Sequence, residues 1–262
     1  MVNEKMARFA MKSNDDIQLL QGDCLELMKQ IPEQSIDCVI TDLPFGSTAC
    51  PWDVVIPFEQ LWEQYNRIVK PKGNVVLFGA GLFAYKLALS NEKKFRYELI
   101  WKKSKCGSPF TAKYMPLKKH ENILVFGDSA SYYEPQMTTG TPYHRKWTPN
   151  KNNNLKYGIS GVQTDNKGTR HPTTILDFPQ KWRRQDQVHP TQKPVELMEW
   201  LVKAYCPVGG VVLDNCMGSG TTGVACVNTG RKFIGIEKEE KYFNVSRNRI
   251  QDAIGDRDGR LF

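Results

Sequence analysis

The sequence predicts an α/β fold, a mostly parallel sheet with helices on both faces. Two observations predict it: short β-like runs alternate with helical patterns at both ends of the 262-residue chain, and the helical intervals have the length of right-handed crossovers. A third adds to it, because the middle of the chain breaks this rhythm and reads as an insert on the sheet.

In the amino-terminal part, β-like runs fall at 17–20, 37–41, 74–78 and 96–101, with helical patterns at 25–31, 57–69 and 82–91 between them. In the carboxy-terminal part, Pro194 opens an amphipathic helix that runs to 204. The alternation then continues as strand 211–213, helix 221–228, strand 233–236 and helix 239–254. The stretch 127–188 differs, with Pro135, Pro142, Pro149, Pro172 and Pro179, an asparagine run at 152–154 and few periodic apolar positions. The expected architecture is a Rossmann-like sheet built from 1–126 and 189–262 around a loop-rich insert of 127–188.

Charge is distributed as unevenly as texture. The net charge is +8, yet residues 102–188 hold fifteen Lys and Arg against six Asp and Glu, while the remainder holds twenty-one against twenty-two. A basic segment rich in aromatic and polar residues suits a polyanion; a solvated lysine-rich loop is the other reading of the charge alone. Seven scattered cysteines, odd in number and never spaced C-x-x-C, fit neither a disulfide framework nor a zinc site, so no metal is expected. No apolar run approaches the ~20 residues of a membrane-spanning helix, and the amino terminus lacks a signal-peptide pattern. The expectation is a soluble, cytoplasmic chain without a membrane partner.

Two turns carry chemistry. VVLDNCMGSGTTG is a strand ending in Asp214, a turn with Gly218 and Gly220, and a helix from Thr221. Glycine lets a ligand approach the backbone, and the amides at the helix start favour an anionic group. Some 20 residues on, FIGIE ends a strand in Glu237, an acid that suits the two hydroxyls of a ribose. A helix cap at Asp214 and a solvated strand end at Glu237 are the bland alternatives. The loop is neither G-x-G-x-x-G nor a G-K-[ST] phosphate loop, which disfavours dinucleotides and ATP and leaves S-adenosylmethionine. In the second turn, CVITDLPFG is a buried-looking strand ending in Asp42, Leu43, Pro44 and Phe45. The Asp42 carboxylate and the Leu43 carbonyl can accept the two hydrogens of an exocyclic amine, with Phe45 stacking on its ring. A β-turn with a packed Phe is the commoner use of these residue types.

With TDLPFG, HPTQKP and LDNCMGSGTTG in this order, the sequence closely resembles the S-adenosylmethionine-dependent DNA amino-methyltransferases, in their permuted beta group. The stretches GDCLELMKQIPEQSIDCVITD, WKKSKCGSPFTAKYMPLKKHENILVFG and GRKFIGIEKEEKYF look most like phage-borne and prophage-borne members. The resemblance implies that Asp42, Leu43, Pro44 and Phe45 form the catalytic turn. It puts Asp214, Gly218, Gly220 and Thr221 around the methionyl part of the cofactor, with Thr191 and Lys193 at its carboxylate. Glu237 is expected at the ribose, and Asp23 with Cys24 of the GDC turn at the adenine. For Asp23 a plain helix cap, and for Lys193 an ordinary exposed lysine, are the alternatives.

Two departures from the family pattern stand out. The usual D-P-P-Y is D-L-P-F here, which keeps the accepting oxygens but loses one proline and the phenol hydroxyl. Asn215 and Cys216 stand where family members often have Pro-Phe. Asp rather than Ser at position 42 favours adenine N6 over cytosine N4 as the target.

The implied reaction is direct transfer of a methyl group to the amine of a flipped-out base in double-stranded DNA, with S-adenosylhomocysteine as the second product and no metal. Phosphate contacts are expected from Lys102, Lys103, Lys105, Lys113, Lys118 and Lys119, and from Arg145, Lys146, Arg170, Lys181, Arg183 and Arg184. Asn150, Asn152 to Asn154, Gln163 and Arg170 are the candidate base readers, and for each taken singly an ordinary loop residue is the commoner reading. A cytosine-N4 methyltransferase, an RNA or protein-glutamine methyltransferase, and a catalytically weak DNA-binding relative are the competing readings, and a restriction-modification partner and a solitary phage enzyme are both open roles. Whether the chain works as a monomer or a homodimer is open at this stage.

Overall fold

The computed structural model describes residues 8–10, 16–48, 50, 53–107, 111–145, 164–180 and 192–259. The chain divides into two compact units, Met1–Glu134 with Thr174–Phe262, and Pro135–Thr173. Within the expected 127–188 stretch, the second unit therefore takes the central part, and the flanks belong to the first.

The first unit is built on a nine-stranded sheet. Its elements in chain order are β1 (Arg8–Ala10), β2 (Ile17–Gln21), α1 (Cys24–Met28), β3 (Ile36–Thr41), α2 (Phe58–Ile68), β4 (Val69–Gly79), α3 (Leu82–Ser90), β5 (Phe95–Lys102) and β6 (His120–Gly127). After the second unit come β11 (Ile175–Asp177), α4 (Val195–Tyr205), β12 (Val211–Asp214), α5 (Thr221–Thr229), β13 (Lys232–Glu237) and α6 (Glu240–Gly259). The strand order is β1-β2-β13-β12-β3-β4-β6-β5-β11. Pairing is parallel from β2 to β4 and again between β5 and β11, and antiparallel for β1 with β2, β4 with β6 and β6 with β5.

The central strands are continuous apolar runs rather than alternating ones because both faces are covered. In β3, IDCVIT is buried at five of six positions and half-buried at Asp37. One face packs on α4, α5 and α6 through residues such as Leu201, Tyr205, Cys226 and Ile250; the other packs on α1, α2 and α3 through Met28, Leu61, Tyr65 and Leu87. In α2, Leu61, Trp62, Tyr65 and Ile68 lie on one helical stripe, and burying each Leu or Ile contributes roughly 1.5–3 kcal/mol.

Strand β6 was not among the sequence-predicted runs. Its ILVF core pairs with Val76, Leu77 and Phe78 of β4 on one side and with Leu99 of β5 on the other, which turns this end of the sheet antiparallel. The order reverses direction between β12 and β3, which run parallel with Leu213 opposite Val39. Loops leaving the carboxyl ends of two such strands open a crevice between them.

In the second unit, β7 (Thr138–Thr139) pairs with β10 (Thr169–Arg170), and β8 (Tyr143–Arg145) with β9 (Thr164–Asn166), each antiparallel. Gly168 turns at φ +103°, where a Cβ would come to 2.8 Å from the Gly140 carbonyl. Among the described residues, no helix is long and apolar enough to cross a membrane.

Candidate active site

Both chemistry-bearing turns leave the crevice edge, and between them lies a cavity of about 370 Å³. It is lined by Asp23, Cys24, Asp42, Leu43, Pro44, Phe45, Lys193, Asp214, Gly218, Thr221 and Glu237, so the structure gathers nearly all the expected site residues in one place. Gly220 stands just behind that lining, and Thr191 lies outside the described residues.

On the glycine-loop side the backbone is held by the acids themselves. Asp214 accepts from the Thr222 hydroxyl at 2.5 Å and from the Cys216 amide at 3.2 Å, and burial pushes its carboxyl up to about 6. Glu237 accepts from the amides of Gly218 at 2.8 Å and Glu239 at 2.9 Å, while burial raises its carboxyl above the ordinary range. Neither acid is thus a solvated strand end. Gly220 sits at φ +73°, and a Cβ there would meet the Ser246 Cβ at 2.7 Å, so the residue provides both the turn and the close approach of α5 to α6. No side chain caps the amides at the start of α5. Thr221 and Thr222, which open the helix, line the cavity, and uncapped amides of this kind suit an anionic group.

The Asn215–Cys216 departure is built into the wall. Asn215 accepts from the Tyr65 hydroxyl at 2.6 Å, which ties the loop to α2. The Cys216 sulfur accepts from the Asn215 side-chain amide at 3.5 Å and lies beside the Cys24 thiol of the GDC turn. Arg249 on α6 donates to the Ser219 carbonyl and, at 3.2 Å, to the Thr221 hydroxyl. Asp23 caps α1 through the Leu25 amide at 3.0 Å while also lining the cavity, so both readings of that residue coexist in the structure.

The Asp42 side is organised by charge. Its Oδ2 accepts from the Lys193 ammonium, and its Oδ1 is buried with no hydrogen-bond partner. Lys193 is only 7% exposed, which removes the exposed-lysine alternative, and its nitrogen points at Asp42 rather than at the glycine loop. It also lies 3.4 Å from Glu121 Oε2 and 4.9 Å above the Phe78 ring. Glu121 Oε1 accepts in turn from Lys103 at 2.6 Å. Burial pushes the Asp42 carboxyl up, against the pull of Lys193. Glu121 is held down to about 2, because its two ammonium neighbours outweigh its burial. The Lys193 ammonium is strengthened because the two carboxylates outweigh its own burial. Glu121 carried no signal in the sequence, since only the β4–β6 pairing brings it near Asp42.

Leu43 is buried, and the Phe45 ring packs on Phe83 with centroids 4.7 Å apart. The loop that follows is folded around Asp53, which the sequence reading also missed. Its carboxylate accepts from the amides of Gly46 at 2.8 Å, Ser47 at 2.9 Å and Thr48 at 2.7 Å. Burial opposes the charge on Asp53, yet these donors and the Thr48 hydroxyl hold its carboxyl below the ordinary range.

The basic residues are used in different ways. Lys105, Lys113, Lys119 and Arg145 are exposed, Lys102 pairs with Asp177 at 2.6 Å, and Lys118 is half-buried with its ammonium weakened by burial. Lys103 is committed to Glu121. Arg170 lies over the Tyr143 ring at 4.7 Å and donates to the Asn166 side chain and to the carbonyls of Thr141 and Thr169, which occupies it inside the second unit. Lys146, Lys181, Arg183, Arg184, Asn150, Asn152 to Asn154 and Gln163 lie outside the described residues.

A glycine loop on one strand and an Asp-Leu-Pro-Phe turn on its parallel neighbour define the class, a methyltransferase sheet. Among solved structures, the M1.HpyAVI–SAM complex shares the fold with a TM-score of 0.60 at 26% identity, covering 89% of this chain and 98% of that one. The PvuII DNA methyltransferase, cytosine-N4-specific, superposes with a TM-score of 0.66 at 19% identity over 92% of each chain. The chain belongs to the DNA methylase family of N6 and N4 methyltransferases, whose model matches residues 36–248. A DNA adenine methyltransferase, YhdJ of Escherichia coli (strain K12), is 26% identical over 92% of this chain and 84% of its own length. The type II methyltransferase M2.DpnII of Streptococcus pneumoniae is 25% identical over 89% of each.

Proposed function

We propose that this protein transfers a methyl group from S-adenosylmethionine to the N6 amine of adenine in double-stranded DNA, with the target base flipped out of the helix. The observation that carries the reading is the pairing of the two turns on one cavity: Asp42, which has an unpartnered carboxylate oxygen, lines the same cavity as Asp214, Thr221 and Glu237. Adenine is favoured by Asp at position 42 and by the relative named as an adenine methyltransferase.

The cavity fits the cofactor chemically. Its volume lies within the ~300–1,000 Å³ of small-molecule sites. Acids stand where a cationic ligand and its ribose hydroxyls need acceptors, and uncapped amides stand where a carboxylate needs donors. When bound, S-adenosylmethionine supplies an electrophilic methyl on a sulfonium. The protein's part is orientation: Asp42 Oδ1 and the Leu43 carbonyl accept the two amine hydrogens, which draws the nitrogen lone pair out of ring conjugation and aims it along the transfer axis. Pro44 stiffens the turn, and Phe45 offers a ring face to the base. The methylated amine then sheds a proton toward Asp42 and solvent.

Flipping the base costs a few kcal/mol, which phosphate contacts from exposed residues such as Lys105, Lys113, Lys119 and Arg145 would offset. The test is to incubate the purified protein with unmethylated DNA and S-adenosylmethionine carrying a labelled methyl, then digest and identify the modified nucleoside. N6-methyladenine is expected; N4-methylcytosine would move the target to the other base of the family, and no labelled nucleoside would sink the reading.

A further inference from the structure

We propose that Glu121 is a positioning residue for methyl transfer: by drawing part of the Lys193 charge away from Asp42, it leaves one Asp42 oxygen without a hydrogen-bond partner for the target amine to fill. The inference rests on the function proposed above and adds a residue to it.

The geometry is a row of alternating charge. Asp42, Lys193, Glu121 and Lys103 stand in sequence, each in contact with the next, from the catalytic turn to the end of the β5–β6 pair. Trp101 pairs with Glu121 across that ladder, and the Lys103 amide donates to the Lys119 carbonyl at 2.9 Å, so Glu121 and Lys103 sit on rigid strand ends rather than on a loop. All four side chains are largely covered, Lys193 the most and Asp42 the least.

Buried charges need partners, and a second carboxylate beside a buried ammonium divides its pull between the two. Here the row is neutral as a whole, with two carboxylates and two ammonium groups. The second carboxylate accepts from Lys103 through Oε1, while its Oε2 lies 3.4 Å from the Lys193 ammonium as an ion pair without a hydrogen bond. Were Glu121 uncharged, two ammonium groups would face Asp42 alone. They would hold its carboxylate more tightly, compete for Oδ1 and weaken it as an acceptor for the amine. Among the described residues, Asp214, across the strand boundary from Asp42, and Lys118, which faces Glu121 and Lys103, also bear on this cluster. Neither contacts the Asp42 carboxylate in place of Lys193.

This arrangement predicts opposite signs for two substitutions. Glu121→Gln removes a negative charge near Asp42, so the acid limb of the pH profile of kcat moves to lower pH by about one unit, while the plateau falls about tenfold. Lys193→Met removes the cation and leaves the burial, so the acid limb moves to higher pH by about one unit or more. Glu121→Asp keeps the charge on a shorter arm, so part of the plateau returns and the limb stays close to its wild-type position.

The experiment measures single-turnover methyl transfer to DNA across pH 5 to 9 for the wild type and these three variants. Calorimetric S-adenosylmethionine binding and melting temperature are recorded in parallel. Support requires limb shifts of opposite sign, with S-adenosylmethionine affinity in Glu121→Gln within about twofold of wild type. A rate loss in Glu121→Gln with an unmoved limb would mean a structural role only and would overturn the inference, as would an unchanged rate. If Glu121→Gln melts too early to assay, Glu121→Asp decides by its plateau: a lowered single-turnover rate with S-adenosylmethionine affinity within about twofold of wild type supports the inference, and an unchanged rate overturns it. A wild-type protein that binds S-adenosylmethionine yet methylates no DNA overturns the function proposed above and this inference with it; transfer by the wild type with unmoved limbs overturns the inference alone.

Discussion

The two halves of the cavity hold their acids in contrasting ways. Asp214 and Glu237 are satisfied by amides and a hydroxyl of their own loop, so the cofactor side is a cradle whose shape is complete before anything binds. Asp42 is held at one oxygen by a buried ammonium, with the other oxygen unpartnered. The difference teaches that one half is organised for binding and the other for reaction: filled hydrogen bonds give rigidity, whereas a buried acceptor without a partner has an unmet demand that a ligand's donor can fill.

That comparison can be broken in several ways, and the largest expected effect is at Asp42. Replacing it by Ala is expected to cut single-turnover methyl transfer by roughly a thousandfold or more, since both orientation and acceptor strength are lost, while S-adenosylmethionine affinity stays within about twofold. Parallel calorimetry and transfer assays would show whether the two halves separate in this way. A loss of cofactor affinity equal to the loss of rate would mean that they do not.

The cradle should respond in stability as well as affinity. Gly220→Ala places a Cβ at 2.7 Å from Ser246 in a backbone conformation that disfavours side chains, and is expected to cost about 2 kcal/mol or more, read as a lowered melting temperature with weakened cofactor binding. A variant as stable as wild type would show that α6 yields easily at this point.

A smaller effect comes from pH. Because burial raises the Asp214 carboxyl to about 6, it is partly protonated below that pH, and a cationic ligand must displace the proton. Affinity for S-adenosylmethionine is therefore expected to rise with pH by up to about tenfold per unit below pH 6 and to flatten above it, with proton release on binding confined to the acid side. Titration in two buffers of different ionisation enthalpy would detect that proton. A pH-flat affinity would place the cofactor's positive charge away from Asp214.

The smallest expected effect concerns DNA. Lys105→Ala should reduce the slope of log affinity against log salt by about one and leave the methylated position unchanged, as measured by fluorescence anisotropy at several salt concentrations and by mapping of the product. An unchanged slope would remove Lys105 from the DNA-contacting surface.

Local patterns carried much of this in the sequence. The glycine turn and the TDLPFG turn were readable because their chemistry lies within a few consecutive residues, and the strands and helices around them because burial imposes a period on each. What stayed hidden depends on which strand lies beside which. Glu121 carries no signal until the β5–β6 pairing places it near Lys193, and Lys193, expected at the cofactor's carboxylate, turns out to hold its ammonium on Asp42. Asp53 and Arg249 order their loops through backbone amides and carbonyls, which leave no side-chain pattern to find. Cys216 and Asn215, departures from the family pattern, acquired partners in Cys24 and Tyr65.

By itself, then, the sequence determined the α/β alternation, the two turns and the location of the basic excess in the middle of the chain, because propensity, periodicity and charge are properties of short stretches. Only the tertiary structure decided that β12 and β3 lie side by side, that their turns share one cavity, and that Asp42 faces a neutral row of four charges. Electrostatic partnership acts over a few ångströms of space, and the pairing of distant strands sets which charges come within that range.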